Sequence, residues 1–264
     1  MNKYKLKFLF YVFLLTIITL NGQSLLAPGE GVRISFATGS IQYKDYLLNG
    51  LRNSGINFSI GVDYAITKHS LNHEVGISVE LAPLWNRYGW DSYCIQPIIP
   101  NVHYRLLADV KGIIQLGGNF NYFSMFYMNE NWDSMHNYWR TYFNVGFSAC
   151  YHYNINSKWT LLVPLNLPVM GFLSRPDADR NLIINEPDIK MSDIIKRIHT
   201  HFQFIAIGYK YFEIETGVFF RVKLKSNRQL TFGYKLLYEQ TTLSLKSQLL
   251  TNQLSIQYSF KKQQ

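Results

Sequence analysis

The feature that most constrains this chain is an alternation of apolar and polar residues with period two, sustained for about ten residues at a time. Phe58, Ile60, Val62, Tyr64 and Ile66 alternate with Asn57, Ser59, Gly61, Asp63, Ala65 and Thr67. Val75, Ile77, Val79 and Leu81 alternate with Glu74, Gly76, Ser78 and Glu80. Phe143, Val145, Phe147, Ala149, Tyr151 and Tyr153 alternate with Asn144, Gly146, Ser148, Cys150, His152 and Asn154. Val218, Phe220, Val222 and Leu224 stand against Gly217, Arg221 and Lys223, and Leu254, Ile256, Tyr258 and Phe260 against Gln253, Ser255, Gln257 and Ser259. A strand places such residues on opposite faces, whereas a helix would scatter them around its axis.

Alternation alone fits both a soluble β-sandwich and a transmembrane barrel. Segment length separates them, because a membrane-spanning strand needs about 9–11 residues and an ordinary globular strand about 5–6. The connections point the same way. Short polar turns at Lys68-His69-Ser70, Asp109-Val110-Lys111-Gly112, Asn156-Ser157-Lys158 and Ser226-Asn227-Arg228 alternate with long loops at Lys44–Gly55, Asn86–Pro100, Met128–Tyr138 and Ser174–Tyr211. Short turns on one side and long loops on the other are the habit of outer-membrane barrels. The expected fold is therefore all-β: an antiparallel up-and-down transmembrane barrel of about ten strands. A separate strand at His201–Gly208 would raise the number toward twelve. Pro164 and Pro168 lie in the predicted strand Trp159–Phe172, and proline cannot donate to a ladder, so a kink is expected at Pro168.

Residues 1–22 read as a cleaved signal peptide and residues 23–264 as the barrel domain. Lys3, Lys5 and Lys7 precede an apolar run from Phe8 to Leu20. That run is short of the roughly 20 residues of a membrane helix but suits a secretory signal. Gly22 offers the cleavage point. Three of the nine net positive charges belong to this segment. The rest suit an anionic membrane surface, and no nucleic-acid-binding motif accompanies them. Aromatics make up 16% of the chain, which a barrel uses in girdles at the two membrane interfaces. Cys94, placed in a loop, and Cys150, placed in a strand, leave a disulfide open, and no metal-binding spacing occurs.

The segment Trp159 to Phe172, with Asn166-Leu167-Pro168-Val169-Met170-Gly171 inside it, stands beside Asn144-Val145-Gly146-Phe147 and the closing run Gln253 to Phe260. On these residues the chain from about Asn101 to Phe260 resembles an uncharacterised family of Gram-negative outer-membrane barrels, known only as a domain of unknown function. The resemblance implies an outer-membrane barrel and carries over no activity, cofactor or catalytic residue. The final strand, with an aromatic at Phe260, also resembles the terminal signal read by the barrel-insertion machinery. The expected partners are that machinery, outer-membrane lipid and lipopolysaccharide.

The polar faces carry the chemistry. Asp63, Glu74, Glu80, His103, Arg105, His152, Glu215, Arg221, Lys223 and Lys235, together with Glu239, are expected to face the lumen. In a narrow barrel these charges must meet one another or water. The reading is a hydrogen-bonded plug, with a thin selective pore as the functional alternative. Ser148 and His152 share a face but stand about 13 Å apart by strand rise, too far for a nucleophile–base pair. Asp133 and His136 in one loop and Asp91 in another are the positions a protease would need, but solvated loop residues are commoner. Asp177, Asp179, Glu186, Asp188 and Asp193, with Arg175, Arg180, Lys190, Lys196 and Arg197, read as a mixed-charge surface loop. No cofactor is implied. The functional expectation is a non-enzymatic outer-membrane barrel, either a small passive pore or a structural and surface-interaction protein. The rivals are an outer-membrane enzyme acting on lipid or peptide and a soluble periplasmic β-barrel or sandwich that binds a ligand.

Overall fold

The computed structural model describes residues 31–46, 52–68, 71–85, 91–95, 100–110, 112–129, 138–175, 191–225, 228–243 and 246–261. The signal-peptide reading of residues 1–22 lies outside them. The elements in chain order are β1 (Gly31–Asp45), β2 (Arg52–Lys68), β3 (Leu71–Trp85), β4 (Asp91–Ile95), β5 (Asn101–Val110), β6 (Ile114–Asn129), β7 (Tyr138–Asn154), β8 (Trp159–Ser174), α1 (Met191–Ile198), β9 (Gln203–Ile207), β10 (Lys210–Lys223), β11 (Arg228–Thr241) and β12 (Ser247–Lys261).

The strands form one sheet that closes on itself. The spanning strands pair antiparallel with their neighbours round the ring, short β9 alone pairs parallel with β10 among the described residues, and β1 pairs with β12 from Gly31↔Lys261 to Asp45↔Ser247. Closure leaves the wall without a free sheet edge, so the backbone groups of the spanning strands pair with one another rather than with water. Around the ring stand ten lanes. Short β4 and longer β5 share one lane between β3 and β6, β4 through Leu81↔Ile95 and Ile95↔Phe126, β5 through Ser78↔Asn101 and Val102↔Tyr122. Pro100, immediately before β5, cannot donate to a ladder.

Strand β9 is a strand of its own, as His201–Gly208 suggested, but it does not span. It pairs with the upper end of β8 (Leu173↔Gln203, Met170↔Ala206), and β10 takes over lower down at Asn166↔Glu215. It is an eleventh stave at one end only. The kink expected at Pro168 is present as a register shift between Val145 and Gly146 of the facing strand β7. Pro164 interrupts the ladder with β10, and its carbonyl accepts a hydrogen bond from Thr216 Oγ1 at 2.9 Å.

Four short connections share one end with Gly31 and Lys261. At the Asn156 turn, the backbone N–H groups of Lys158 and Trp159 both donate to Asn156 Oδ1 at 2.9 Å. At the β5–β6 turn, Gly112 takes a φ of 74°, which its missing Cβ permits. The long connections gather at the other end, the loop end. Their extents differ from the sequence reading. Strands β1 and β2 extend into the expected loop Lys44–Gly55 as far as Asp45 and back to Arg52. The expected loop Asn86–Pro100 contains β4, so Asp91 and Cys94 are strand residues, and Ser174–Tyr211 contains α1 and β9.

Polarity is inverted relative to a water-soluble domain. Leu254 is 66% exposed and Ile256 57%, as are large parts of Phe36, Phe58, Ile60, Ile77 and Val79. Asn57, Asn119, Asn144, Ser148, Thr231, Gln253 and Ser255 are buried. The apolar faces do not pack against a second sheet, which rules out the sandwich. They form a belt for lipid, and the polar faces line the lumen. At the loop end part of the outer wall is covered. His199, following α1, stacks on Tyr122 and contacts its hydroxyl through Nε2 at 2.9 Å. Phe202 packs on Phe143, and Ser174 donates to the carbonyl of Thr200 at 2.5 Å.

Leu254 lies near the middle of β12 and faces outward. Leu254→Arg is expected to lower stability in phospholipid vesicles by about 2–4 kcal/mol, while Ser255→Ala, facing inward, costs about 1 kcal/mol. Equilibrium unfolding in denaturant reads both; equal effects would contradict the assignment of faces.

Candidate functional site

The lumen is built in three levels. Nearest the chain termini, the register sets opposite charges side by side. Arg33 of β1 faces Asp63 of β2, and Glu74 of β3 faces Arg105 of β5. Arg33 Nε lies 2.8 Å from Asp63 Oδ2, Arg33 Nη2 2.8 Å from Glu74 Oε1, and Arg105 Nη1 3.2 Å from the same Glu74 oxygen. His103 Nε2 reaches Asp63 Oδ1 at 3.1 Å and Glu74 Oε1 at 3.6 Å. Asp63 and His103 both stand opposite Gly76 in the ladder and meet across it. A Cβ on Gly76 would lie 2.0 Å from Asp63 Oδ1 and 2.3 Å from His103 Cε1. The glycine is what lets the carboxylate and imidazole join.

Asp63, Glu74 and His103 offer ligand atoms within 4.8 Å of one another. Two arginines already engage these carboxylates, and a divalent cation would have to enter beside both. The donor set therefore fits an ion-paired cluster better than a metal centre.

At mid-height a hydrogen-bonded chain crosses five strands. Asn119 Nδ2 donates to Ser148 Oγ at 2.8 Å, Ser148 Oγ to Asn166 Oδ1 at 2.5 Å, and Asn166 Nδ2 to Glu215 Oε1 at 2.8 Å. Lys235 Nζ closes the chain on Glu215 Oε2 at 2.7 Å. On another wall Asn57 donates to Glu80.

Near the loop end the lumen turns apolar. Ile41, Tyr43, Ala82, Leu84, Met125 and Leu249 form one buried cluster, and Tyr142, Leu173, Ile205, Tyr211 and Leu243 a second. Phe123 packs against both, so the two clusters adjoin through it. Polar groups there are tied down. Arg140 pairs with Glu239 with both side chains almost wholly buried, Tyr211 donates to Glu213, and Arg175 donates to the Leu243 carbonyl. Arg175 thus leaves the surface loop where the sequence placed it and becomes an interior tether. Below the clusters lies a cavity of about 360 Å³, lined from Gly31, Thr67, Asn72 and Phe260 at the terminal rim up to Phe123, Tyr142 and Leu237.

Nine of the eleven expected lumen residues line this cavity: Asp63, Glu74, Glu80, His103, Arg105, His152, Glu215, Arg221 and Lys235; Glu239 lies outside it, buried against Arg140. Lys223, at the end of β10, alternates onto the same face below Arg221. Sequence reasoning missed Arg33, which ties Asp63 to Glu74, and also Arg140 and Glu213. The signal existed, since Arg33, Ser35, Ala37 and Gly39 alternate with Val32, Ile34 and Phe36. Ser148 and His152 both face inward, but Ser148 belongs to the mid-height chain while His152 Nε2 is buried without a hydrogen-bond partner among the described residues; Cys150 between them is a free thiol, so the disulfide left open with Cys94 is not formed. Asp133, His136, Asp177, Asp179, Arg180, Glu186, Asp188 and Lys190 lie outside the described residues.

No protein-family model and no curated protein matches the chain, so the resemblance over residues 101–260 has no matching family model, although the barrel it implied is present. Among solved structures the chain is similar to the translocator domain of the autotransporter NalP from Neisseria meningitidis, at 10% identity over 97% of this chain and 96% of that one, with a TM-score of 0.46. It is also similar to the beta domain of the Bordetella autotransporter BrkA, at 7% identity over 89% of this chain and 100% of that one, TM-score 0.46. The outer-membrane protease OmpT from Escherichia coli is similar at 8% identity over 88% of this chain and 97% of that one, TM-score 0.42. Likenesses this distant assign no activity to the chain.

Two substitutions test the interior. Gly76→Val is expected to force Asp63 from His103 and to cost about 1–3 kcal/mol by overpacking. Arg140→Met leaves Glu239 buried without its charge partner and is expected to cost about 3–5 kcal/mol, most of it recovered when Glu239→Leu is added. Denaturant unfolding of the single and double variants reads the coupling; additive losses would show that the pair does not act as a unit.

Proposed function

We propose that this protein is a non-conducting barrel of the bacterial outer membrane, open as a chamber on the periplasmic side and shut on the outer side. The observation that carries the reading is the pair of apolar clusters that adjoin through Phe123 near the loop end of the lumen. A passive pore needs a continuous polar path, and here the path ends beneath those clusters. The orientation rests on the barrel habit of short turns and termini in the periplasm and long loops outside.

A structural or solute-binding role fits the interior better than catalysis. His103 Nε2 faces two carboxylates that arginines also hold. Ser148 is engaged by Asn119 and Asn166. Neither is free to act in a nucleophile–base pair.

The outer wall supports the expected lipid partners. Lys44 and Arg52 stand opposite each other at the loop end on the outward face. Like charges so placed repel, and the phosphates of lipopolysaccharide would offset them. The insertion machinery would read β12, whose outward residues Leu254, Ile256, Tyr258 and Phe260 end the barrel.

Refolded protein in planar bilayers is expected to show no steady conductance. Replacing Phe123 and Met125 together by serine breaks their junction, and discrete channel openings should then appear. Steady conductance by the unaltered protein would overturn the reading.

A further inference from the structure

Most charged side chains of the chamber are answered by an opposite charge or a hydrogen bond: Arg33 and Arg105 by Asp63 and Glu74, Lys235 by Glu215, Glu80 by Asn57, and Glu213 by Tyr211. Arg221 is not. It lines the cavity from β10, its Nε is shielded from solvent, and that nitrogen has no hydrogen-bond partner among the described residues. Its nearest neighbours in the wall, Thr160 of β8 and Thr231 of β11, bring no charge. One lane beyond β8, His152 also lines the cavity, is only 6% exposed, and leaves Nε2 without a partner.

A guanidinium and an imidazole withdrawn from bulk water, each with an unused nitrogen, are costly unless something accepts from them. Among the described residues the acids of this half of the barrel are engaged elsewhere: Asp63 and Glu74 are held by Arg33, Arg105 and His103, and buried Asp109 accepts from the Gly112 N–H at the β5–β6 turn. Planar N–H donors of this kind suit the oxygens of a phosphate or carboxylate. The chamber, about 360 Å³ in volume and reaching the terminal rim, falls within the size range of small-molecule pockets.

We infer that Arg221 and His152 form an anion-binding subsite in the lower chamber, which holds the phosphate or carboxylate group of a small solute entering from the periplasmic end. The inference deepens the proposed chamber by naming the chemistry it recognises. It does not depend on whether the loop end conducts, so the two can fail separately.

Cys150, which lines the same cavity two residues from His152, provides the reporter. In a Cys94→Ser background in detergent, its thiolate can be made to attack an anionic (sulfonatoethyl) or a cationic (trimethylammonioethyl) methanethiosulfonate. A mixed disulfide forms and methanesulfinate leaves. The anionic reagent is expected to react about tenfold faster than the cationic one, after correction for their rates with a free thiol. Inorganic phosphate or succinate should slow the labelling, and the more protective of the two identifies the group preferred. Arg221→Gln should abolish both the preference and the protection, whereas Arg221→Lys should keep the preference; heat-modifiable migration confirms that each variant is folded. Equal rates, faster reaction of the cationic reagent, no reaction with either, or no protection by phosphate and succinate would each overturn the proposal. The unaltered residue 221 supplies these readings even if a variant fails to fold.

Discussion

The structure depends on the seam between β1 and β12. In hydrocarbon an unpaired backbone N–H or C=O has no water to turn to, and each one left open costs several kcal/mol. The fifteen-residue β1 is paired along its whole length with β12 on one side, and with β2 from Gly31 to Lys44 on the other. Once the ring is closed, the two faces of every strand see different media, and the alternation of the sequence becomes a division between lipid and lumen.

That division sets the interior its own problem. The faces that lipid rejects must gather charge and amide groups in a space too narrow for bulk water. The chain meets this by cross-strand pairing of opposite charges near the termini, by an amide–hydroxyl–carboxylate chain at mid-height, and by apolar filling near the loops. Small inward residues make room for the long ones. Gly76 admits the contact of Asp63 with His103, and Ser35 and Gly61 stand beside Arg33 and Asp63 along their strands. The resulting chamber is asymmetric, polar toward one mouth and greasy toward the other, and its one unanswered guanidinium is Arg221 among the described residues.

Strands whose inward residues are plainly polar and outward residues plainly apolar were legible from the sequence: β2, β3, β7 and β12 follow their alternation. Legibility failed where the inside is apolar. Ile41, Tyr43, Ala82 and Leu84 face inward yet look like lipid-facing residues, so the ends of β1 and β3 carry no polar face by which a strand could be told. It failed also at β4, a five-residue strand inside the expected loop Asn86–Pro100, too short to show a sustained alternation; β9, equally short, is legible as a strand but not as one that stops short of spanning. Of the site, the acids Asp63 and Glu74 and the bases Arg105 and Arg221 could be placed on polar faces, but not matched. Arg33 and Arg140 were passed over because a lone basic residue in an aromatic or aliphatic stretch carries no sign of its partner.

By itself, the sequence determined that this chain makes long two-faced strands joined by turns and loops in turn, because period-two patterning needs only local geometry. It also determined which residues stand on the polar faces. Only the tertiary structure decided which of those residues meet. Cross-strand register, the bulge beside Pro168 and the insertion of β9 fix that Asp63 takes Arg33, that Glu215 takes Lys235, and that Arg221 meets no acid among the described residues. Such choices depend on strands brought together from distant parts of the chain, and a shift of one residue in pairing would turn every side chain to the opposite medium.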